Sequence, residues 1–220
     1  MVKESDSSHR RIKFSVYIAV MAFTALIFIL GLLAGNYIAN QKSNELSLNQ
    51  QKLILELNGL DLKRELVSQN TCNFRINDLL KERADIGANI EALEARFGKE
   101  DKDILLQKEI YELIELKTFF LLDEYNQKCN NNYTSILFFY TNKENDPQGR
   151  WQASEDQGYI LSALGRKYPN VNIFSFDINI KNPAIDTLIE MYKIKQVPAL
   201  VINNSVYGYR ILSELEGIVK

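Results

Sequence analysis

Tyr133–Ser154 reads YTSILFFYTNKENDPQGRWQAS, and the fold of the chain turns on how that stretch is read. Ser135 to Thr141 is a short apolar run, rich in aromatic and β-branched residues and followed by the polar loop Asn142 to Arg150. It is too short for a stable helix and predicts a buried strand. Gln152 to Lys167 then carries Ala153, Ile160, Leu161 and Leu164 before Pro169 ends the segment, which predicts a helix. Strand, loop and helix make the first half of a βαβ unit.

Toward the C-terminus, Val171 to Ile178 is dense enough in apolar residues for a strand covered on both faces. A helix opened by Pro183 follows, with Ile185, Leu188, Ile189, Met191 and Tyr192; proline at a first-turn position loses no helical hydrogen bond. After Pro198, Ala199 to Asn203 and Val206 to Arg210 predict two strands joined by Asn204-Ser205 as a tight hairpin. Ser213-Glu214-Leu215-Glu216 has the capping-box pattern and predicts the start of a last helix. The predicted order is βαβ followed by αββα.

That order, with Pro198 immediately before the third strand, resembles the thioredoxin fold over Tyr133 to Lys220. More narrowly, ILFFYT…EDQGYILSALGRKYPNVNIFSFDIN…YKIKQVPALVINNSVYGY resembles prokaryotic, particularly archaeal, membrane-anchored thioredoxin-like proteins whose active members carry CPDCEKQG at the helix start. The resemblance implies a cis peptide before Pro198. Aligning EKQG with Glu155-Asp156-Gln157-Gly158 puts Trp151 at the nucleophilic cysteine and Ser154 at the resolving one, so the motif here reads WQAS.

Thiol exchange needs an accessible thiolate and a second thiol to resolve the mixed disulfide. Trp151 and Ser154 supply neither, and no cysteine follows Cys129. The degenerate positions Trp151, Ser154 and Pro198 therefore point to a redox-inactive domain. Trp151, the single tryptophan, either anchors an extended peptide on that face or fills the space the dithiol loop left.

At the other end of the chain, no charged residue occurs from Phe14 to Gln41, and Val16 to Ala34 is apolar apart from Thr24 and Gly31. At 1.5 Å per residue such a helix reaches roughly the ~30 Å hydrocarbon thickness, longer than the ~7–15 residues of a signal-peptide core. Lys3, Arg10, Arg11 and Lys13 precede it and only Lys42 follows closely. The positive-inside rule then puts the N-terminus in the cytoplasm and the rest outside. Gly31 and Gly35 have the GxxxG spacing of close helix pairs, which is also common in unpaired membrane helices.

Between anchor and C-terminal domain, Glu45 to Cys129 contains no proline. Three series recur at spacings of three, four or seven: Leu46, Leu53, Leu57, Leu60 and Val67; Ile76, Leu79, Ile86, Ile90, Leu93 and Phe97; Ile104, Tyr111, Ile114, Thr118, Leu121 and Tyr125. They predict coiled-coil-like helices, broken at Asn70-Thr71 and at Gly98 to Lys102, the last two folding back as a hairpin. Cys72 and Cys129 lie at comparable distances on either side of Gly98 and would meet at its open end. Even count, symmetric placement and exterior location favour a disulfide over two independent buried thiols. The expected organisation is a tail (1–13), a membrane helix (14–38), a helical stalk with hairpin (39–130) and a thioredoxin-like domain (131–220).

Other chemistry is narrowed by composition. The single histidine, His9, falls in the tail, which leaves no Ser-His catalysis and no His-based zinc site in the exterior part; no cofactor or metal is expected. A net charge of −2 carries no nucleic-acid footprint. Glu155-Asp156 reads as a helix-start signal, no phosphate-binding loop is present, and Asn132 and Asn203 head glycosylation tripeptides. The expected role is a non-catalytic module that binds a protein partner or extended peptide and can form homo-oligomers; the alternative is an oxidoreductase that uses Cys72 and Cys129.

Overall fold

In a computed structural model of the chain, residues 14–69, 71–143, 145 and 150–219 are described. The tail with its basic residues and His9, residues 146–149 of the polar loop and the side chain of Val67 lie outside them. Contacts divide the chain into two units, Met1–Ser47 and Leu48–Lys220.

In the first unit, helix α1 (Phe14–Gln69) begins at once, and every residue from Phe14 to Gln41 is exposed. A helix that is apolar on all sides has no polar face to offer water. It is long and apolar enough to cross a membrane.

The second unit takes up the remainder of α1. A single 3₁₀ turn, Thr71–Asn73, leads into α2 (Ile76–Phe97) and α3 (Lys102–Cys129). The α2–α3 turn forms where the sequence predicts it. Gly98 takes φ 99°, and Asp101 caps α3 by accepting from the backbone N–H groups of Asp103 (3.0 Å) and Ile104 (3.4 Å). Leu53 and Leu60 of α1 pack with Leu79, Ile90, Ile114 and Leu121, so the predicted seams meet within one chain.

The sheet follows from β1 (Thr134–Tyr140), α4 (Trp151–Lys167), β2 (Val171–Asp177), α5 (Pro183–Met191), β3 (Ala199–Ile202), β4 (Ser205–Tyr207) and α6 (Leu212–Val219). Its strand order is β2-β1-β3-β4, with β1 parallel to β2, β3 antiparallel to β1 and β4 antiparallel to β3. Residues alternate between faces, as strand geometry requires. Leu137, Phe139, Phe174, Phe176, Ala199 and Val201 join the core of α5 and the helical hairpin. Ile136, Phe138, Val171, Leu200 and Ile202 face Leu161 and Leu164 of α4 and Leu215 of α6. The hairpin and the sheet thus share one core across residue 130. The Val197–Pro198 peptide is cis.

Three local expectations are corrected. The β3–β4 turn is Asn203-Asn204, at φ 50° and 61°, not Asn204-Ser205. A two-residue turn matched to strand twist needs positive φ at both centres, which asparagine tolerates better than serine. The last helix starts two residues early, at Leu212: Glu214, not Glu216, accepts the backbone N–H three residues back, that of Ile211, at 3.3 Å, and Glu216 instead pairs with Lys167 at 2.6 Å. Glu155 and Asp156 fall in the second turn of α4, beyond the reach of the helix-start field, because the helix begins at Trp151.

Candidate functional site

Trp151 opens α4, and Ser154 lies one turn in, buried. The Ser154 Oγ accepts the Thr141 backbone N–H at 3.4 Å, which ties the head of α4 to the end of β1. The Thr141 hydroxyl also hydrogen-bonds the Asn179 side chain after β2. Farther along α4, Gln157 is fully buried and clamps the backbone of Arg210: its Nε2 donates to the Arg210 carbonyl at 3.2 Å and its Oε1 accepts the Arg210 N–H at 2.7 Å. Trp151 and Ser154 line a small cavity of about 140 Å³ with Phe138, Tyr140, Asn142 and, from the α2–α3 turn, Lys99. Pro198 is buried and does not line it. Of the three positions that the resemblance singles out, the structure therefore brings two into one cavity and leaves the proline outside it.

Cys72 and Cys129 form a disulfide, with Cα atoms 5.4 Å apart. Cys129 is the last residue of α3, and Cys72 lies exposed in the 3₁₀ turn. Lys99, at the opposite end of the hairpin, is the residue that reaches the α4 cavity. The 28 residues of α3 separate the two ends by about 40 Å at 1.5 Å per residue. The disulfide and the cavity at the head of α4 cannot act on one substrate atom. The chain matches no family model, no curated protein and no solved structure.

A second polar site was not anticipated. β2 is an edge strand, and its outer backbone groups are met by side chains of α2 and α3 rather than by another strand. The Arg83 Nη1 donates to the Ile173 carbonyl at 2.6 Å and to both carboxylate oxygens of Glu115 at 3.0 and 2.8 Å. Glu115 also hydrogen-bonds the Ser175 backbone. The Asp177 N–H donates to Glu112 at 2.8 Å, and Lys108 pairs with Asp177 at 3.3 Å and with Glu94 at 2.9 Å. An open edge invites another strand. Here two helices close it with a buried ionic layer.

This layer forms one wall of a cleft of about 600 Å³, whose other wall is α4 with Glu155, Tyr159 and Ser162. Burial pushes the Glu115 carboxyl up, although Arg83 lies against it. Burial alone would lower Lys108, but Tyr140, Asp177 and Glu94 around it hold it above the usual lysine value. Tyr111 is raised well above an ordinary phenol by burial and by Glu115. Gly87 makes room for it: a Cβ there would stand 2.5 Å from the Tyr111 hydroxyl oxygen. Among the described residues, no group of three His, Cys, Asp or Glu is arranged to hold a metal ion.

Glu112 gives the layer a pH dependence. Burial, opposed by the Asp177 N–H, raises its carboxyl from 4.5 to about 8. Because the folded form holds this proton more tightly than the unfolded chain, stability falls as pH rises from about 4.5 to about 8 and levels off above that. The slope attributable to the group reaches at most about 1.4 kcal/mol per pH unit. Urea midpoints between pH 5 and 9 are expected to show this decline in the native protein and a flatter profile in Glu112→Gln. Equal slopes in both would assign the decline to other groups.

Proposed function

We propose that the chain is a single-pass membrane protein whose folded part has a thioredoxin-like fold, lies outside the cytoplasm and acts without redox chemistry, as a protein-binding or structural module. The observation that carries the reading is the pairing of the β2-β1-β3-β4 topology with a tryptophan and a serine at the head of α4. α4 and α6 lie on one face and α5 on the other, which is the layering expected of that fold. The exposed apolar helix supports the anchor, and a disulfide supports an oxidising compartment for the remainder. The basic residues before the anchor support a cytoplasmic N-terminus.

The proposed binding function uses the head of α4. Trp151 is half-buried there, amphipathic and next to a cavity, the kind of residue that dominates binding energy in small interfaces. The purified full chain in detergent is expected to reduce insulin no faster than buffer containing the same reductant. Its single tryptophan is expected to shift emission saturably when an unfolded, alkylated polypeptide is added. Catalysed insulin reduction would sink the non-catalytic reading. An unmoved emission spectrum would sink the peptide-binding one.

The exposure of Cys72 favours one second reading, in which the Cys72–Cys129 bridge itself exchanges with thiols in solution. That reading requires a reduction potential near those of oxidant pairs, far above the values below about −300 mV of structural disulfides.

A further inference from the structure

The leucine seam that reads most clearly in the stalk is used up inside the chain, since Leu53 and Leu60 are buried against α2 and α3 and Leu57 packs beside them. A second seam on the same helix is not. Leu48, Leu55, Leu62 and Leu66 are 59, 74, 64 and 65% exposed. With Lys52 and Gly59 they run 48, 52, 55, 59, 62, 66, alternating steps of four and three residues. That is the a/d pattern of a coiled coil, with leucine at each d position and Lys52, Gly59 and Leu66 at a. A Cβ placed on Gly59 would meet nothing within 4 Å, so the middle of this face carries no packing from its own chain.

Lipid does not fit as the cover. Lys52, Glu56, Asp61, Lys63, Arg64 and Glu65 share the segment, and charges at that density exclude a hydrocarbon environment. We infer that the seam Leu48–Leu66 pairs with the same seam of a second copy, as a parallel two-stranded coiled coil. A patch with this spacing is complementary to itself, as a two-fold interface requires. The inference rests on the membrane anchor proposed above, which holds both copies in one orientation and raises their effective concentration. In a parallel, in-register pair the flanking positions set Gln51 against Glu56 and Asn58 against Lys63, so no like charges face each other there. The one charge in the seam, Lys52, is a single polar a-position residue. Such a residue fixes register and favours a dimer at a cost in stability.

The test uses the full chain in lipid vesicles, with one added cysteine per variant and mild oxidation. Leu55→Cys and Leu62→Cys are expected to give a covalent dimer, and Ile54→Cys, exposed on the same helix but off the seam, to give at least five-fold less. Lys52→Leu, which removes the unfavourable charge, is expected to raise energy transfer between donor- and acceptor-labelled copies at fixed protein-to-lipid ratio. Leu55→Asp with Leu62→Asp is expected to lower that transfer to the background of unrelated labelled proteins. No dimer at positions 55 and 62, equal yields at 54, or a Lys52→Leu variant that transfers no more than the parent would overturn the pairing. Cross-links formed only between Leu48→Cys and Leu66→Cys copies would overturn the parallel arrangement. A separate alkaline carbonate wash distinguishes the two failures, since release of the protein from membranes would overturn the anchor, whereas retention without cross-links would overturn only the dimer.

Discussion

Replacing Arg83 with alanine is expected to destabilise the folded unit by about 3–5 kcal/mol, because it leaves a buried carboxylate without its counter-charge. The Arg83 side chain is 10% exposed and that of Glu115 2%, so water reaches neither partner enough to compensate. Denaturant unfolding of the full chain, followed by Trp151 emission, measures the loss. A loss under about 1 kcal/mol would place the pair among surface salt bridges and remove its structural role.

The informative comparison is the double replacement Arg83→Met with Glu115→Leu. An isolated buried ion pair exchanged for apolar residues of similar volume usually costs little and can even stabilise. Here Arg83 also donates to the Ile173 carbonyl and Glu115 also hydrogen-bonds the Ser175 backbone, so the swap strips two partners from the edge of β2. Each buried backbone group left unpaired costs about 1–3 kcal/mol. The double variant is therefore expected to remain destabilised by at least about 2 kcal/mol and to self-associate through the bared strand. Full recovery would mean that the layer is an ion pair and nothing more. A lasting deficit would mean that it stands in for a missing strand.

The contrast between what could be read in advance and what could not follows from the range of the signals. β1 and β2 are runs of apolar residues, and α5 carries Pro183 behind Asn182, whose side chain accepts the Ala184 N–H at 3.2 Å; each of these is local information. The α2–α3 turn is also local, through Gly98 and Asp101. The ionic layer is not. Lys108, Glu112 and Glu115 recur at steps of four and three along α3, which looks like the solvated flank of an amphipathic helix until the edge of β2 is laid against it. The nearest hint is Gly87, a helix-interior glycine with no local reason to be there, whose reason is the Tyr111 hydroxyl on the next helix. Likewise Leu53 and Leu55 each belong to a leucine series with steps of three, four or seven, and the packing of α2 and α3 covers one series and leaves the other open.

Reducing the Cys72–Cys129 bridge, or replacing both cysteines with serine, is expected to lower stability by up to about 4 kcal/mol, the chain-entropy value for a closed loop of this size. The effect should be large because the bridge ties the junction of α1 and α2 to the end of α3, where the chain turns into β1 through Asn130 in a left-handed conformation. Without it the two ends of the hairpin are joined by packing through Ile76, Leu122 and Tyr125 and by the hydrogen bond from the Tyr133 hydroxyl to Asn77 at 2.8 Å. Opening is then expected to start there, so hydrogen exchange should speed up in residues 72–80 and 122–130 and much less near Gly98. The same titration decides between the two readings of the pair. Equilibration of the full chain with glutathione buffers, with thiols counted after denaturation, is expected to leave the bridge intact at any ratio that opens exchange-active dithiols. If it opens at those ratios with no loss of unfolding free energy, the bridge is a working redox pair and the non-catalytic reading fails. If it opens only together with the fold, Cys72 and Cys129 are a staple, and the redox reading of the pair fails.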